Sequence, residues 1–221
     1  KIYGGIELNK NYTESDLNKI LNNLYSTDFF EDVNVELTNG KLKVTLKEYP
    51  VINNLVIIGE ASKKYKEAIQ KSISSKAKGS YIRKNITKDV EAIKRLYSSV
   101  GYNLVKVDTK FKKLDDENID IIFEIDRGEL TRITKISFTG DKKIKEKRLR
   151  DIIASEEYKF YKFISRNTRF SDNLNELDLR LLKNYYKSLG YYDVKVTSSS
   201  AEIKETGNVE LNFSIDAGDR Y

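Results

Sequence analysis

Few side chains in this 221-residue chain have the chemistry to make or break a bond. It contains no histidine and no cysteine, which removes the commonest general base, thiolate nucleophiles, disulfides and the usual soft metal ligands. No G-x-S-x-G, P-loop or G-x-G-x-x-G run is there to hold a nucleophile or cradle a phosphate. The densest acidic group, Asp115-Asp116-Glu117, has the residue types of a carboxylate pair or a hard-cation site. It falls between two strand-like runs, however, where solvated acids ordinarily build the turn. The expectation is a protein without catalytic residues, metal or cofactor.

A second pattern is aromatic and basic. Tyr158-Lys159-Phe160-Tyr161-Lys162-Phe163, followed by Arg166, Arg169 and Phe170, interleaves rings with cations as binders of single-stranded nucleic acid do. The same pattern serves two other ends. The rings can cover a core, or Tyr158, Phe160, Tyr161 and Phe163 can meet a protein partner or lipid headgroups. Nearby Lys142, Lys143, Lys145, Lys147, Arg148 and Arg150, with Glu146 as the acid among them, read as a solvated helix face. Forty Lys+Arg against 34 Asp+Glu give a net charge of +6, spread evenly enough to be a compositional bias. At 33% charged and 39% hydrophobic residues, with mean hydropathy −0.58, the composition is that of a folded, water-soluble chain. No run approaches the roughly 18 apolar residues of a membrane helix. The chain has no methionine and no signal-like start, as expected of a mature fragment freed of any targeting segment.

The elements that must position such groups come in copies. Leu24-Tyr25-Ser26-Thr27-Asp28-Phe29-Phe30 matches Leu96-Tyr97-Ser98-Ser99-Val100-Gly101-Tyr102 and Tyr185-Tyr186-Lys187-Ser188-Leu189-Gly190-Tyr191. Counted from Tyr25, Tyr97 and Tyr186, an aromatic follows in each (Phe30, Tyr102, Tyr191), then a first valine (Val33, Val105, Val194) and a second (Val35, Val107, Val196). Before each anchor the apolar residues keep helical spacing, as in Leu17, Ile20, Leu21 and Leu24, or Leu174, Leu177 and Leu181. Thr13 with Asp16 resembles a capping box, and Gly101 and Gly190 stand where helices end in the left-handed conformation. After each helix the period becomes two. Val105, Val107, Ile121 and Phe123 are expected to face the helices. Asn39-Gly40 signals a tight hairpin in the first copy. Two further strands, Ile52 to Ile58 and Ile133 to Phe138, end at Gly59 and Gly140 and precede helices near Tyr65 to Ile73 and Lys145 to Ile153.

The fold class this predicts is α+β: tandem β-α-α-β-β modules, each a three-stranded mixed sheet covered on one face by two helices. The expected divisions are residues 1–49, a partial unit lacking its opening strand and first helix, then 50–127 and 128–221.

The arrangement resembles the POTRA domain of outer-membrane assembly and translocation proteins. The residues that carry the likeness are the helix end Leu96 to Tyr102, the strand closures Asp126-Arg127-Gly128 and Asp216-Ala217-Gly218, and the opening strand Ile136-Ser137-Phe138-Thr139-Gly140. Glu60 and Asp141 depart from the asparagine usual after that glycine. The tandem copies look like the N-terminal repeats of the BamA family. The resemblance implies a periplasmic scaffold, not an enzyme, ahead of a membrane β-barrel that lies beyond these residues. It further implies binding of unfolded outer-membrane proteins and assembly lipoproteins by β-augmentation, and no nucleic acid as partner. The competing reading is a basic nucleic-acid-binding array of small α+β modules.

Two sites follow from strand parity and from that topology. Val56, Ile58, Leu104 and Ile122 fall on the face of the second unit opposite its helices, where apolar residues imply a substrate or neighbour. In the third unit, Tyr192 to Ser198 is expected at a sheet edge. Val194 and Val196 anchor it, Asp193, Lys195 and Thr197 point outward, and no proline blocks an incoming strand.

Overall fold

Thr13 opens the first helix as the spacing predicts. Its side chain accepts from the Asp16 amide while the Asp16 carboxylate accepts from the Thr13 amide at 3.0 Å, closing a capping box before α1 (Glu14–Tyr25). The computed structural model describes residues 3–7, 11–38, 41–162, 165–200 and 207–221. Over them the chain continues as β1 (Phe30–Thr38), β2 (Lys41–Glu48), β3 (Val51–Ile58), α2 (Lys63–Ser72), α3 (Arg83–Ser98), β4 (Lys106–Lys113) and β5 (Asn118–Asp126). It then repeats as β6 (Arg132–Asp141), α4 (Glu146–Ile152), two short 3-10 turns, α5 (Asp172–Ser188), β7 (Lys195–Ser200) and β8 (Asn208–Asp216). The order strand, helix, helix, strand, strand thus occurs twice, and the α+β class stands. The chain gathers into two compact units, Lys1–Glu91 with Asp108–Glu124, and Ala92–Val107 with Ile125–Tyr221.

In the first copy, β1 and β2 pair antiparallel with Thr38 opposite Lys41. Asn39 and Gly40, expected to make the hairpin turn, lie outside the described residues. Ile20, Leu24, Phe30 and Val33 form a small core there. Copy one departs from its sequence alignment at this point. Tyr25, matched to the fully buried Tyr97 and Tyr186, is 42% exposed, and Leu24 takes the buried place. Asp28 adopts φ +56, four residues past Leu24, as Gly101 (φ +97) and Gly190 (φ +94) do four past Tyr97 and Tyr186. The true register is shifted by one, and a bulge between Phe30 and Asp32 absorbs the extra residue.

The second and third sheets have the orders β3-β5-β4 and β6-β8-β7. The last strand is central in each, parallel to the opening strand, as expected. Both opening strands carry a bulge at the same place. It sits between Ile52 and Leu55, where Asp120 accepts from the Asn53 side chain and the Asn54 amide, each at 3.0 Å. In β6 it falls between Ile133 and Lys135, where the Thr134 hydroxyl donates to the Val209 carbonyl. A bulge flips parity, which is how Ile133 and Ile136, three apart, are both buried. Ile121, Phe123 and Ile125 are buried along β5. Val107 is half-buried, and Val105, also half-buried, precedes β4 instead of belonging to it. The core of the third copy is built from Ile133, Ile136, Phe138, Leu182, Tyr186 and Phe213 among others. Gly140 closes β6 at φ +86, and a Cβ there would run into the Ile215 carbonyl, so only glycine fits.

Candidate functional site

The third sheet has two edges, and the chain treats them differently. Along β6, groups of the same unit take the bonds that a neighbouring strand would otherwise make. The Phe170 amide donates to the Thr131 carbonyl at 2.9 Å and the Tyr158 amide to the Ile133 carbonyl at 2.6 Å. At Ile136 two side chains stand in for a peptide group: Glu157 accepts from its amide at 2.9 Å and Arg150 donates to its carbonyl. Arg150 and Glu157 also bond each other at 2.8 Å. The Lys142 ammonium reaches the Phe138 carbonyl at 2.7 Å. Burial opposes ionisation of Glu157, but the Ile136 amide, Arg150 and Lys159 outweigh it and hold the carboxyl below its usual range.

At the opposite edge, β7 pairs on one side, antiparallel to β8, among the described residues. Val194 and Val196 are buried at 7% and 3% and anchor it, while Asp193, Lys195 and Thr197 are exposed. The strand begins at Lys195 and ends at Ser200, three residues later at its start than Tyr192. Tyr192 and Asp193 form a turn instead, and residues 218–221 run past it: Gly218 lies against Asp193, and the Tyr221 hydroxyl donates to the Asp193 carboxylate at 2.8 Å. Asp193 is therefore engaged by the chain itself. Beyond Lys195 the edge carries Thr197, Ser198, Ser199 and Ser200, and the Ser198 hydroxyl accepts from the side-chain amide of Asn175 on α5 at 2.8 Å. The hairpin partner in the second sheet, β4, is defended differently, with Lys106, Lys110, Lys112 and Lys113 along it, the charge pattern that discourages edge pairing.

The remaining expected site residues are scattered. Val56 and Ile122 are register partners in the second sheet, with Val56 43% and Ile58 39% exposed. Leu104 lies ahead of β4, half-buried, its carbonyl against Gly128. Tyr158 is half-buried beneath the Arg132 guanidinium, 4.3 Å from the ring centre. Phe160 and Tyr161 stand in solvent, Phe170 is buried in the third core, and Phe163 lies outside the described residues. On the open face of the third sheet, Ser137, Thr139 and Asn212 form a polar ladder, with Glu210 and Lys195 exposed. The acidic group at 115–117 serves its turn. Asp115 accepts from the Glu117 amide and the Asn118 side chain, which hold its carboxyl below the ordinary range, and Asp116 pairs with Lys113.

Sequence reasoning missed two buried aspartates. Asp89 accepts from the Ser74 amide and hydroxyl and from the Ser75 amide, at 2.7 to 3.0 Å. Asp178 does the same for the amides of Ala154 and Ser155 at 2.6 and 3.2 Å. Each sits on the second helix of its repeat and satisfies amides of the two residues just past the C-cap of the first helix, which would otherwise be left without a partner. The signal was present: both stand eight residues before a buried tyrosine, Tyr97 and Tyr186, amid apolar neighbours.

The β-α-α-β-β order, the central last strand and the glycine-closed opening strand together match a known module. The POTRA family profile, described as a surface antigen variable number repeat, matches residues 50–128 and 131–218. The chain belongs to the POTRA family. Among curated relatives, the outer membrane protein assembly factor BamA of Neisseria meningitidis serogroup B is 26% identical over 223 residues, covering 99% of this chain and 28% of that protein. BamA of Neorickettsia risticii is 24% identical, covering 98% of this chain and 29% of the relative. The POTRA chain thus spans under a third of the length of these relatives. Among solved structures, POTRA domains 3 to 5 of Haemophilus influenzae BamA superpose with a TM-score of 0.50 at 18% identity, over 96% of this chain and 84% of that one. Haemophilus ducreyi BamA lacking POTRA domains 1 to 3 gives 0.51 at 23% identity, over 75% and 29%. At such identities the likeness is one of POTRA fold.

Proposed function

We propose that this chain is part of the periplasmic arm of an outer-membrane β-barrel assembly protein, and that it takes up extended polypeptide as an added strand along β7. The observation that carries the second half is the asymmetry of the third sheet: β6 is closed by Glu157, Arg150, Tyr158 and Phe170, whereas β7 is bonded on one side among the described residues. Main-chain donors and acceptors on such an edge accept any extended chain with little regard for its side chains. That suits a scaffold serving many unfolded barrel substrates, and the family relatives named as assembly factors support the setting. Val56, Ile58, Leu104 and Ile122 belong to the same proposal as a secondary apolar contact, as does the binding of assembly lipoproteins. The division into a partial module, 1–49, and two complete ones, 50–127 and 128–221, is part of it too.

The test is binding of an unfolded barrel segment to the parent chain and to Thr197→Pro and Ser198→Pro, neighbours on β7 whose amides point to opposite sides, with circular dichroism to confirm folding. Proline removes one amide donor, and in the variant whose amide points away from β8 the affinity falls by about tenfold, the worth of one net hydrogen bond. If both variants stay folded and bind as the parent does, β7 is not the site. A salt titration against single-stranded nucleic acid separates the competing class, since phosphate binding falls steeply with salt. The polar ladder of Ser137, Thr139 and Asn212 leaves the open face of the third sheet without the stacking rings that class uses.

A further inference from the structure

The segment between α4 and α5 is a loop with a fastened base and an aromatic tip. At the base, the Glu156 amide donates to the Asn167 carbonyl at 2.9 Å, and the Tyr158 amide is tied to β6 at Ile133. Thr168, 3% exposed, donates its hydroxyl to the Ser165 carbonyl at 2.9 Å. At the tip a short 3-10 turn, Phe160–Lys162, holds Phe160 at 83% and Tyr161 at 60% exposure. The two rings meet edge to face with centroids 5.3 Å apart. A phenylalanine this exposed gains nothing from the fold that displays it. The flanking charge has one sign: Lys159, Lys162, Arg166 and Arg169 fall between Tyr158 and Ser171 with no Asp or Glu among them. The preceding acid, Glu157, is already paired with Arg150.

We propose that this loop docks on the surface of an anionic phospholipid bilayer. Phe160 and Tyr161 enter the interfacial layer, and Lys159 and Arg166 meet headgroup phosphates. Rings with a polar flank are suited to the boundary between headgroups and acyl chains, and basic residues beside them are drawn to anionic lipid. The tip presents two exposed rings, and the four cations that flank them, with no acid between Tyr158 and Ser171, complement a negative surface. The docking is independent of strand addition at β7, which is a separate part of the same unit.

The chain contains no tryptophan, so Phe160→Trp places a single reporter at the tip. The 221-residue chain carrying it is mixed with vesicles of phosphatidylcholine alone or with about 30% phosphatidylglycerol, with and without brominated acyl chains. The expected result is a blue-shifted emission quenched by brominated lipid on the anionic vesicles, with affinity at least about tenfold lower on the neutral ones. In sedimentation with anionic vesicles, the exposed double substitution Phe160→Ser, Tyr161→Ser lowers binding of the otherwise native chain by a similar factor. No quenching by brominated lipid, equal binding to both vesicles, or sedimentation of the double variant like the parent each overturns the proposal. So does a blue shift that appears with unfolded barrel polypeptide and not with vesicles, which assigns the loop to a protein partner.

Discussion

The amide of Thr131 donates to the carbonyl of Gly101 at 2.8 Å, fastening the start of β6 to the end of α3. The same latch recurs from Tyr49 to Phe29 and from Tyr221 to Gly190, each at 2.9 Å. Every repeat therefore ends by tying its exit segment back to the corner behind its long helix, at the left-handed glycine in two of them and one residue past the left-handed Asp28 in the first. At the second corner the chain also makes a side-chain tie, from the Asn103 amide to the Phe170 carbonyl at 3.0 Å.

That corner predicts opposite signs for two substitutions at equivalent places. Gly101 has φ +97, and an added Cβ would lie 3.0 Å from that of Arg169, so Gly101→Ala is expected to cost about 1 to 3 kcal/mol. Asp28 does the same job at φ +56 with a side chain, so Asp28→Gly changes stability by less than about 1 kcal/mol, in the favourable direction. Urea melts of both variants check the pair. A neutral Gly101→Ala would remove the strain argument.

Phe123 is fully buried on β5, while Val56 on the neighbouring strand is 43% exposed. Phe123→Ala is expected to lose about 3 to 5 kcal/mol, as buried aromatic truncations do. Val56→Ser should stay within about 0.5 kcal/mol, as exposed positions do. A loss below about 1 kcal/mol for Phe123→Ala in denaturant melts contradicts the facing of the second sheet.

Much of this was legible because it lies in spacing. The copies, the capping box at Thr13 and the central last strand follow from periodicity and from the POTRA likeness. The one-residue slip at Leu24 and Tyr25 did not, because an aligned tyrosine outweighs the quieter cue that Asp28, not Phe29, can turn left-handed. The closure of β6 was also hidden. Arg150 and Glu157 reach Ile136 from more than a dozen residues along the chain, and sequence parity reports which face a side chain takes, not which edge it caps. The buried aspartates went unnoticed because the amides they satisfy lie in the segments that follow another helix, 14 to 24 residues away.

Asp178 offers a pH test. Burial raises its carboxyl above the ordinary 3.8, against the pull of Ser155 and the Ala154 amide. The unfolded chain releases this proton first as pH rises, so the contribution of Asp178 to stability is full below 3.8 and declines as pH passes the raised folded value. Asp178→Asn keeps an acceptor for the two amides without the buried charge. Relative to the parent it should gain stability as pH rises above 3.8 through the raised folded value. Asp178→Ala leaves those amides unpaired and loses about 1 to 3 kcal/mol at neutral pH. Denaturant melts across that range decide it, and a difference between Asn and Asp that shrinks as pH rises contradicts the burial argument.

Glu157 has the opposite sign and tests whether β6 is really closed. Its carboxyl is held below the usual 4.5, since the Ile136 amide and Arg150 prefer it ionised despite its partial burial. Its contribution is present above 4.5 and is lost as pH falls through the lowered folded value, so the clamp holds throughout the neutral range. Glu157→Ala removes the acceptor of the Ile136 amide and loosens Arg150, which bonds both Glu157 and the Ile136 carbonyl. Hydrogen exchange at the Ile136 amide should then rise by about tenfold at about pH 7, the equivalent of one net hydrogen bond. Exchange in the central strand, at Leu211 and Phe213, should stay as in the parent. Unchanged exchange at Ile136 would mean that this amide is protected by something other than Glu157, and β6 could not then be called closed by its own side chains.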